Sequence, residues 1–308
     1  MADKVILVSD PGIDGAFAVA LALHDPELDI LGLAATAGNI PAEQATNNIH
    51  ILIEQLDPPR WPRLGAALPV EYEMDGQRLH GPGGLGGISF PVAKLHHPHL
   101  GDKLLTDLVR QYPKEVTVIC MGPLTTLARA MDRDPEWPAQ VQRLVCLGGT
   151  MNEPGNAGPV TEFHFACDPV AARQVLRCGA PLTLIPLDVM GKVLFSPTEM
   201  LELTAHESRT CHFLHEIVPY GIGATSNLYG IEGFYLQDVL GIVAVALGGA
   251  LSTQPVAVDV ETRGELTRGM SVVDRRPGQP SKPNVDLAVG VDATAVRSYV
   301  GRVLRRTR

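Results

Sequence analysis

The chain has 308 residues and a formal net charge of −9, and it is 45% hydrophobic, 19% charged and 5% aromatic. This composition is typical of a globular protein with a large core of aliphatic side chains. The negative charge argues against nucleic acid or an anionic membrane as a partner, because both would repel the chain. We interpret the short basic segment VGRVLRRTR at the C-terminus as a solvated helix end.

The cysteines and the apolar segments bear on the cellular location. The five cysteines form no CxxC pair and no zinc-like cluster with histidine. An odd number of cysteines favours a reducing compartment, so we expect a cytoplasmic protein. The segment MADKVILVSD is unlike a secretory signal, and no uncharged apolar run is long enough to span a membrane. No membrane partner is therefore expected.

Short apolar runs alternate with helical patterns along the chain. Strands are predicted at residues 5–9, 28–36, 115–122, 141–149 and 180–188, and helices at 16–24, at 41–56 and from 123 onward. This alternation is typical of βαβ units, which form a mostly parallel sheet with helices on both faces. Because no repeat or long linker divides the chain, we predict one α/β domain over residues 1–308 with a Rossmann-like central sheet.

Two segments are predicted to be loops. Residues 80–91, HGPGGLGGISFP, are rich in glycine, which disfavours regular structure. They do not match a nucleotide-phosphate motif. Residues 273–286 are predicted to connect two short strands.

The first predicted strand ends in two acidic residues, Asp10 and Asp14, in the sequence VILVSDPGIDGA. Ligands of parallel sheets bind beyond the carboxyl ends of the strands, which is where these acids lie. Two neighbouring carboxylates either share a cation or hold a proton, and calcium is a cation that prefers oxygen ligands. An alternative for Asp14 is that it caps the first helix.

The segment SDPGIDGA resembles the N-terminal signature D-x-D-P-G-x-D-D-A of the nucleoside hydrolases, the inosine-uridine-preferring N-ribohydrolases. Further segments resemble family motifs in the same order: TAGN, LHGPGGLGG, MGPLTTLA, LGGTMNEPGNAGPVTEFHFACDP, GELTRGMSVVDRR and PNVDLAV. So many matches in order are specific, and they cover nearly the whole chain. The resemblance implies the nucleoside hydrolase fold.

The resemblance also implies a reaction, the hydrolysis of a ribonucleoside to ribose and free base with the help of a calcium ion. Asp10 corresponds to the general base and to a calcium ligand. The Thr125 carbonyl and Asp238 correspond to further calcium ligands. The family is usually dimeric or tetrameric, so we expect a homodimer or homotetramer with a small nucleoside as its partner.

Other residues correspond to positions that surround the substrate. The expected substrate-binding residues are Asp14, Asn39, His80, Asn156, Glu162, Phe163, His164 and Gln237.

Several of these residues have structural alternatives. Asn39 is in a common turn pair, Glu162 could cap a helix or form a surface ion pair, and Asp238 could be an N-cap. The alternative for His80 is a mobile surface residue. His164 could be a general acid, a sugar contact or a structural histidine.

This sequence departs from the family pattern at positions that matter for catalysis. Val8 and Gly15 replace two acids of the signature, and the second of these acids normally supplies oxygens to calcium. Gln237 replaces a histidine that protonates the leaving base, and an amide cannot act as a general acid at neutral pH. Two alternatives to standard hydrolysis therefore stand beside it. One is a family member that binds a nucleoside without cleaving it, and the other is a hydrolase of a modified nucleoside.

Overall fold

An eight-stranded sheet, in which seven strands run parallel, organises the chain. The computed structural model describes residues 2–72, 75–91, 99–277 and 281–307. The strands are β1 (Asp3–Ser9), β2 (Leu28–Ala35), β3 (Arg63–Gly65), β4 (Val116–Met121), β5 (Arg143–Leu147), β6 (Leu182–Ile185), β7 (Leu194–Phe195), β8 (Phe234–Tyr235), β9 (Leu251–Val256), β10 (Val258–Val260), β11 (Ser271–Val273) and β12 (Val285–Val291). Their order in the sheet is β3-β2-β1-β4-β5-β6-β12-β9, with β9 antiparallel to β12.

Helices cover both faces of this sheet. They are α1 (Ile13–His24), α2 (Ala42–Leu56), α3 (Gln77–His80), α4 (Gly101–Gln111), α5 (Thr125–Arg133), α6 (Trp137–Gln140), α7 (Phe163–Cys167), α8 (Pro169–Leu176), α9 (Leu187–Met190), α10 (Pro197–Leu203), α11 (Arg209–Tyr229), α12 (Val239–Ala246) and α13 (Ala293–Leu304). The predicted α/β domain with a mostly parallel sheet is confirmed. In the described ranges, no helix is long and apolar enough to cross a membrane.

The strand β1 lies between β2 and β4 in the sheet and separates two hydrophobic cores. Val5 and Leu7 pack in the core that contains α1, α2, α11, α12 and α13. Ile6 and Val8 point the other way, into the core that contains α4, α5 and α8. This alternation follows from the two-residue period of a strand, so the next residue, Ser9, belongs to the α1 side.

The chain order reverses around β1, because β2 and β3 lie on one side of it and β4 follows on the other. Such a switch point opens a crevice beyond the carboxyl ends of the strands. The segment after β1 therefore leads directly into the position where a ligand is expected.

Three local predictions need correction. The strand predicted at 180–188 ends at Ile185, because Leu187–Met190 form α9. Helix α1 begins at Ile13 with Gly12 as its N-cap, so Asp14 lies inside the first turn and does not cap the helix. The predicted loop at 80–91 contains the end of α3 and a 3₁₀ turn at Pro82–Gly84. Glycines with positive φ, among them Gly81 at 84°, allow the chain to turn tightly there.

The connection after β11 is as predicted where it is described; residues 278–280 lie outside the described part.

The packing of α1 yields a stability prediction. Phe17 is fully buried on the core side of α1, so Phe17→Ala should lower the free energy of unfolding by about 3–5 kcal/mol through lost burial and a cavity. Val170→Ala is the control, because Val170 is 62% exposed, and it should change the stability by less than about 0.5 kcal/mol. Urea unfolding at equilibrium measures both; equal effects would contradict the assigned core.

Candidate functional site

A cavity of about 340 Å³ lies at the carboxyl ends of the central strands. Its lining contains all eight residues that were expected to bind substrate, together with Asp238. The remaining lining residues are Asp75, Gly76, Arg78, Leu79, Leu228 and Tyr229. The structure thus gathers side chains from segments that are up to about two hundred residues apart in the sequence. The cavity has the size of a small-molecule site.

Asp10 follows β1 and is fully buried; it is not itself a lining residue, but it is bonded to Asn39, which lines the cavity. Its Oδ2 accepts a hydrogen bond from the Asn39 backbone N–H at 2.7 Å, and its carbonyl accepts one from Asn39 Nδ2 at 3.2 Å. A Cβ on Gly38 would lie 2.1 Å from Asp10 Oδ2, so only glycine permits this contact. Asp10 Oδ1 has no partner among the described residues. Burial raises the pKa of Asp10 to about 7.

Asn39 thus holds Asp10 in place by hydrogen bonds as well as forming a turn. Its backbone and its side-chain amide both bond to Asp10, and its side chain lines the cavity. The turn interpretation alone is therefore incomplete.

His80 is buried against the start of α1. Its Nδ1 accepts a hydrogen bond from the Ile13 backbone N–H at 3.2 Å, which leaves Nε2 to carry the proton of the neutral ring. Nδ1 also lies 3.8 Å from Asp14 Oδ1. Burial lowers the pKa of His80, although the charge of Asp14 acts against this. The interpretation of His80 as a mobile surface residue is wrong, because α3 and the glycine turns fold it inward.

Glu162 is the N-cap of α7, as one alternative suggested, but it is buried. Its Oε1 accepts from the His164 N–H at 3.0 Å, and its Oε2 accepts from the Gly149 and Phe165 N–H groups at 3.0 and 3.1 Å. Asn156 Oδ1 accepts from the Phe163 N–H at 2.8 Å. These bonds fix the loop that carries His164 at the cavity wall.

His164 lies between a carbonyl and a carboxylate. Its Nδ1 is 3.3 Å from the Leu147 carbonyl oxygen and 3.5 Å from Glu162 Oε1. Burial acts to lower the pKa of His164, but the negative charges of Glu162 and Asp10 outweigh it and raise the pKa above its usual value. This ring therefore favours the protonated form more than an ordinary histidine does.

Asp238 precedes α12 and is buried beside the other acids. It occupies the N-cap position, but its side chain makes no capping hydrogen bond, so the capping alternative does not explain it. Burial, and then the charges of Asp14 and Asp10, raise the pKa of Asp238 well above its usual range. The acids are thus close enough to oppose one another's ionisation.

Thr125 does not line this cavity. Its Oγ1 donates to Asp168 Oδ2 at 2.8 Å, and the residue borders a neighbouring cavity that also contains Tyr72 and Arg268. The side chain of Thr125 is therefore occupied by a structural bond. The structure does not bring Thr125, a calcium ligand by resemblance, into the cavity that Asp238 lines; it places the residue at the start of α5.

The buried acids fit a cation, although with few carboxylates. In the part of the chain that the structure describes, no group of three or more Asp, Glu, His or Cys side chains is arranged as a metal-ligand set. Two buried carboxylate oxygens, Asp10 Oδ1 and Asp14 Oδ1, nevertheless lack partners there. Buried charges without partners are costly, and a cation would satisfy them. Oxygen donors of this kind suit calcium, and neutral oxygens would have to complete its shell.

Comparisons with known proteins identify the family. The family model "Inosine-uridine preferring nucleoside hydrolase" matches residues 5–298. The chain belongs to this family. It is 33% identical to the non-specific ribonucleoside hydrolase RihC of Escherichia coli over 97% of both chains. It is 32% identical to a probable uridine nucleosidase 2 of Arabidopsis thaliana, over 95% of this chain and 94% of that protein.

Solved structures agree with this membership. A plant nucleoside hydrolase, PpNRh1, matches with a TM-score of 0.90 and 27% identity, and each chain is 99% covered. A purine-preferring ribonucleoside hydrolase from Gardnerella vaginalis matches with a TM-score of 0.91, 27% identity and the same coverage. The chain is therefore a nucleoside hydrolase, an N-ribohydrolase, and a binding protein without activity is not favoured. Members of this family are generally calcium-dependent.

Several residues of this hydrolase's site were not found by sequence reasoning. The cavity walls include Arg78, which lies shortly before His80, and Tyr229, which is the last residue of α11. Gly38 is required by its approach to Asp10, and the Gly38-Asn39 pair was the only signal for it. Ser9 Oγ is buried without a partner among the described residues, and nothing in the sequence marks it.

The raised pKa of Asp10 predicts how stability depends on pH. Between its usual pKa and about 7, the folded protein holds a proton that the unfolded chain releases, so stability falls as pH rises through this window. In excess chelator, the melting temperature of the wild type relative to Asp10→Asn should therefore decrease by several degrees from pH 4.5 to 7.5. Scanning calorimetry measures this difference; a constant difference would contradict the buried, unpartnered carboxylate.

Proposed function

We propose that this nucleoside hydrolase cleaves the N-glycosidic bond of a ribonucleoside with Asp10 as the general base and calcium as the cofactor. The observation that supports this proposal best is Asp10 itself. Its Oδ1 is buried and has no partner among the described residues, and its carboxylate is bonded to Asn39, which lines a cavity of about 340 Å³.

In the proposed reaction, Asp10 Oδ1 accepts the proton of a water as the water oxygen bonds to C1′ of the ribose. The bond between C1′ and the base breaks, and its electron pair leaves with the base. The transition state resembles an oxocarbenium ion, as in other glycoside cleavage. The Asn39 N–H on Oδ2 keeps the carboxylate oriented, so that Oδ1 stays free for the proton.

Calcium fits the remaining charge of the site. We propose that Asp10 and Asp238 hold it. When bound, it would supply positive charge that orients the ribose hydroxyls and a water, and it would offset the burial and the repulsion that together raise the pKa of Asp238.

The ribose is proposed to lie among Asp14, Asn39, Asn156 and Glu162, which line the cavity. The Asp14 Oδ1 that lacks a partner among the described residues is ready to accept a hydroxyl hydrogen. Glu162 is held by three backbone N–H groups, so it can accept from a sugar without moving. Such fixed acceptors orient a substrate at low entropic cost.

The leaving base is proposed to meet His80, Gln237 and His164. Neutral His80 donates from Nε2, and Gln237 can donate or accept but not protonate. His164 is the cavity histidine with a raised pKa, so it is the best-placed group to carry a proton to the base.

Ribonucleosides such as uridine are the substrates to test, because relatives include proteins named uridine nucleosidase and non-specific ribonucleoside hydrolase. The homo-oligomer and the cytoplasmic location remain predictions. Gel filtration with light scattering tests the first, and fractionation of cells tests the second.

Asp10→Asn tests the proposed base, because it keeps the size of the side chain but cannot accept the water's proton. We expect kcat for base release from uridine to fall by about 10³-fold or more, since general-base and ligand roles are lost together. Asp57→Asn is the matched control, as Asp57 is exposed in a left-handed turn after α2. It should retain wild-type activity.

The same experiment separates hydrolysis from binding alone. Wild-type protein that binds nucleoside but releases no base would overturn the proposed function. Activity of Asp10→Asn within a few-fold of wild type would reject Asp10 as the base.

Calcium dependence is a separate prediction. Chelation should abolish base release, and calcium should restore it. Calorimetric titration of the stripped protein should give a dissociation constant weaker than the tightest calcium sites, because Gly15 removes one carboxylate. Full activity after exhaustive chelation would reject calcium as the cofactor.

A further inference from the structure

The inference concerns Ser9, and it rests on the proposed calcium-dependent function. Four buried side-chain polar atoms lack a partner among the described residues, and three of them are Ser9 Oγ, Asp10 Oδ1 and Asp14 Oδ1. A buried polar atom without a partner costs free energy, so native proteins rarely contain one without a reason. All three atoms lie within six residues of the chain, and the proposed function already uses the two carboxylates, which leaves the Ser9 hydroxyl without a role.

Ser9 is fully buried, and its position in β1 directs it toward the acids. Val5 and Leu7 pack on the α1 side of the sheet, and the period of the strand puts Ser9 on the same side. Gly15 and Asp238 belong to this side, in α1 and immediately before α12. Of the two residues that precede Asp10, Ser9 therefore faces the buried acids and Val8 does not.

The distances around Gly15 support this placement. A Cβ on Gly15 would lie 3.3 Å from Ser9 Oγ and 3.0 Å from Asp238 Oδ2. The Ser9 hydroxyl and the Asp238 carboxylate therefore both lie beside the position that the Cβ of a larger residue 15 would occupy. The glycine allows both oxygens to approach this point closely.

We propose that the Ser9 hydroxyl is an oxygen donor of the calcium site and replaces an oxygen that Gly15 cannot supply. A hydroxyl oxygen is a hard, neutral donor that calcium accepts, as it accepts carbonyls and water. The replacement removes one negative charge from the site but keeps an oxygen in place.

The proposal predicts that Ser9 and Gly15 act on calcium affinity as a coupled pair. Ser9→Ala should weaken calcium binding about tenfold in calorimetric titration of the stripped protein. Gly15→Asp should tighten it about tenfold, once Asp238 and Ser9 shift by a few tenths of an ångström. Adding Ser9→Ala to Gly15→Asp should then lower the calcium affinity by less than threefold, because the new carboxylate makes the hydroxyl redundant. This loss of additivity is the signature of a shared role.

Three controls keep the result interpretable. Ser208→Ala removes another buried serine hydroxyl, at the N-cap of α11, and should leave calcium affinity unchanged. Gly15→Ala adds bulk without oxygen and should not tighten binding. Melting curves in chelator show whether each variant is folded before titration.

The outcomes separate this inference from the proposed function. Unchanged calcium affinity in folded Ser9→Ala, or equal losses with and without Gly15→Asp, would overturn the role of Ser9. If the wild type still shows calcium-dependent base release in those cases, the proposed function stands. If neither wild type nor Gly15→Asp binds calcium, both are rejected.

Discussion

The structure depends on the burial of several carboxylates at one point where the chain order of a parallel sheet reverses. Asp10, Asp14 and Asp238 share this point, and the pKa shifts of Asp10 and Asp238 record their burial and mutual repulsion. No lysine or arginine forms an ion pair with them among the described residues. Such an arrangement is stable only if backbone N–H groups, protons or a bound cation offset the charge. The strands, helices and turns around the acids meet this electrostatic requirement.

Glycine is the residue that makes the arrangement sterically possible. A Cβ on Gly38 would collide with Asp10, and one on Gly12 would lie 2.6 Å from the His80 ring. At both positions the absence of a side chain lets a functional group approach the backbone closely. The N–H groups of Asn39 and Ile13 can then bond to Asp10 and His80. The turns between elements are therefore part of the site and not merely connections.

The sequence could predict the sheet and the place of the site because these follow from local patterns. Short apolar runs set the strands, and polar residues such as Asp10 and Asn39 come directly after them. The burial of His80 could not be predicted, because it depends on how α3 and the glycine turns pack against α1. The role of Ser9 was equally hidden, since an unpartnered hydroxyl is visible only when its neighbours are placed. Glu162 is an intermediate case, because the sequence predicts its capping position but does not predict its burial.

Two features of the pocket act in one electrostatic direction, and Gln237 acts in the other. Gly15 removes a negative charge, and His164 puts a protonatable ring close enough to Glu162 and Asp10 for their charges to raise its pKa. Both changes make the pocket less negative and so weaken the demand for a cation. Gln237 acts in the opposite direction, because it stands where the family pattern has a histidine that can carry a proton. A hydrolase changed in this way should hold calcium less tightly and depend more on its own hydrogen bonds to orient the ribose. The three N–H groups on Glu162 and the two bonds from Asn39 to Asp10 provide that rigidity.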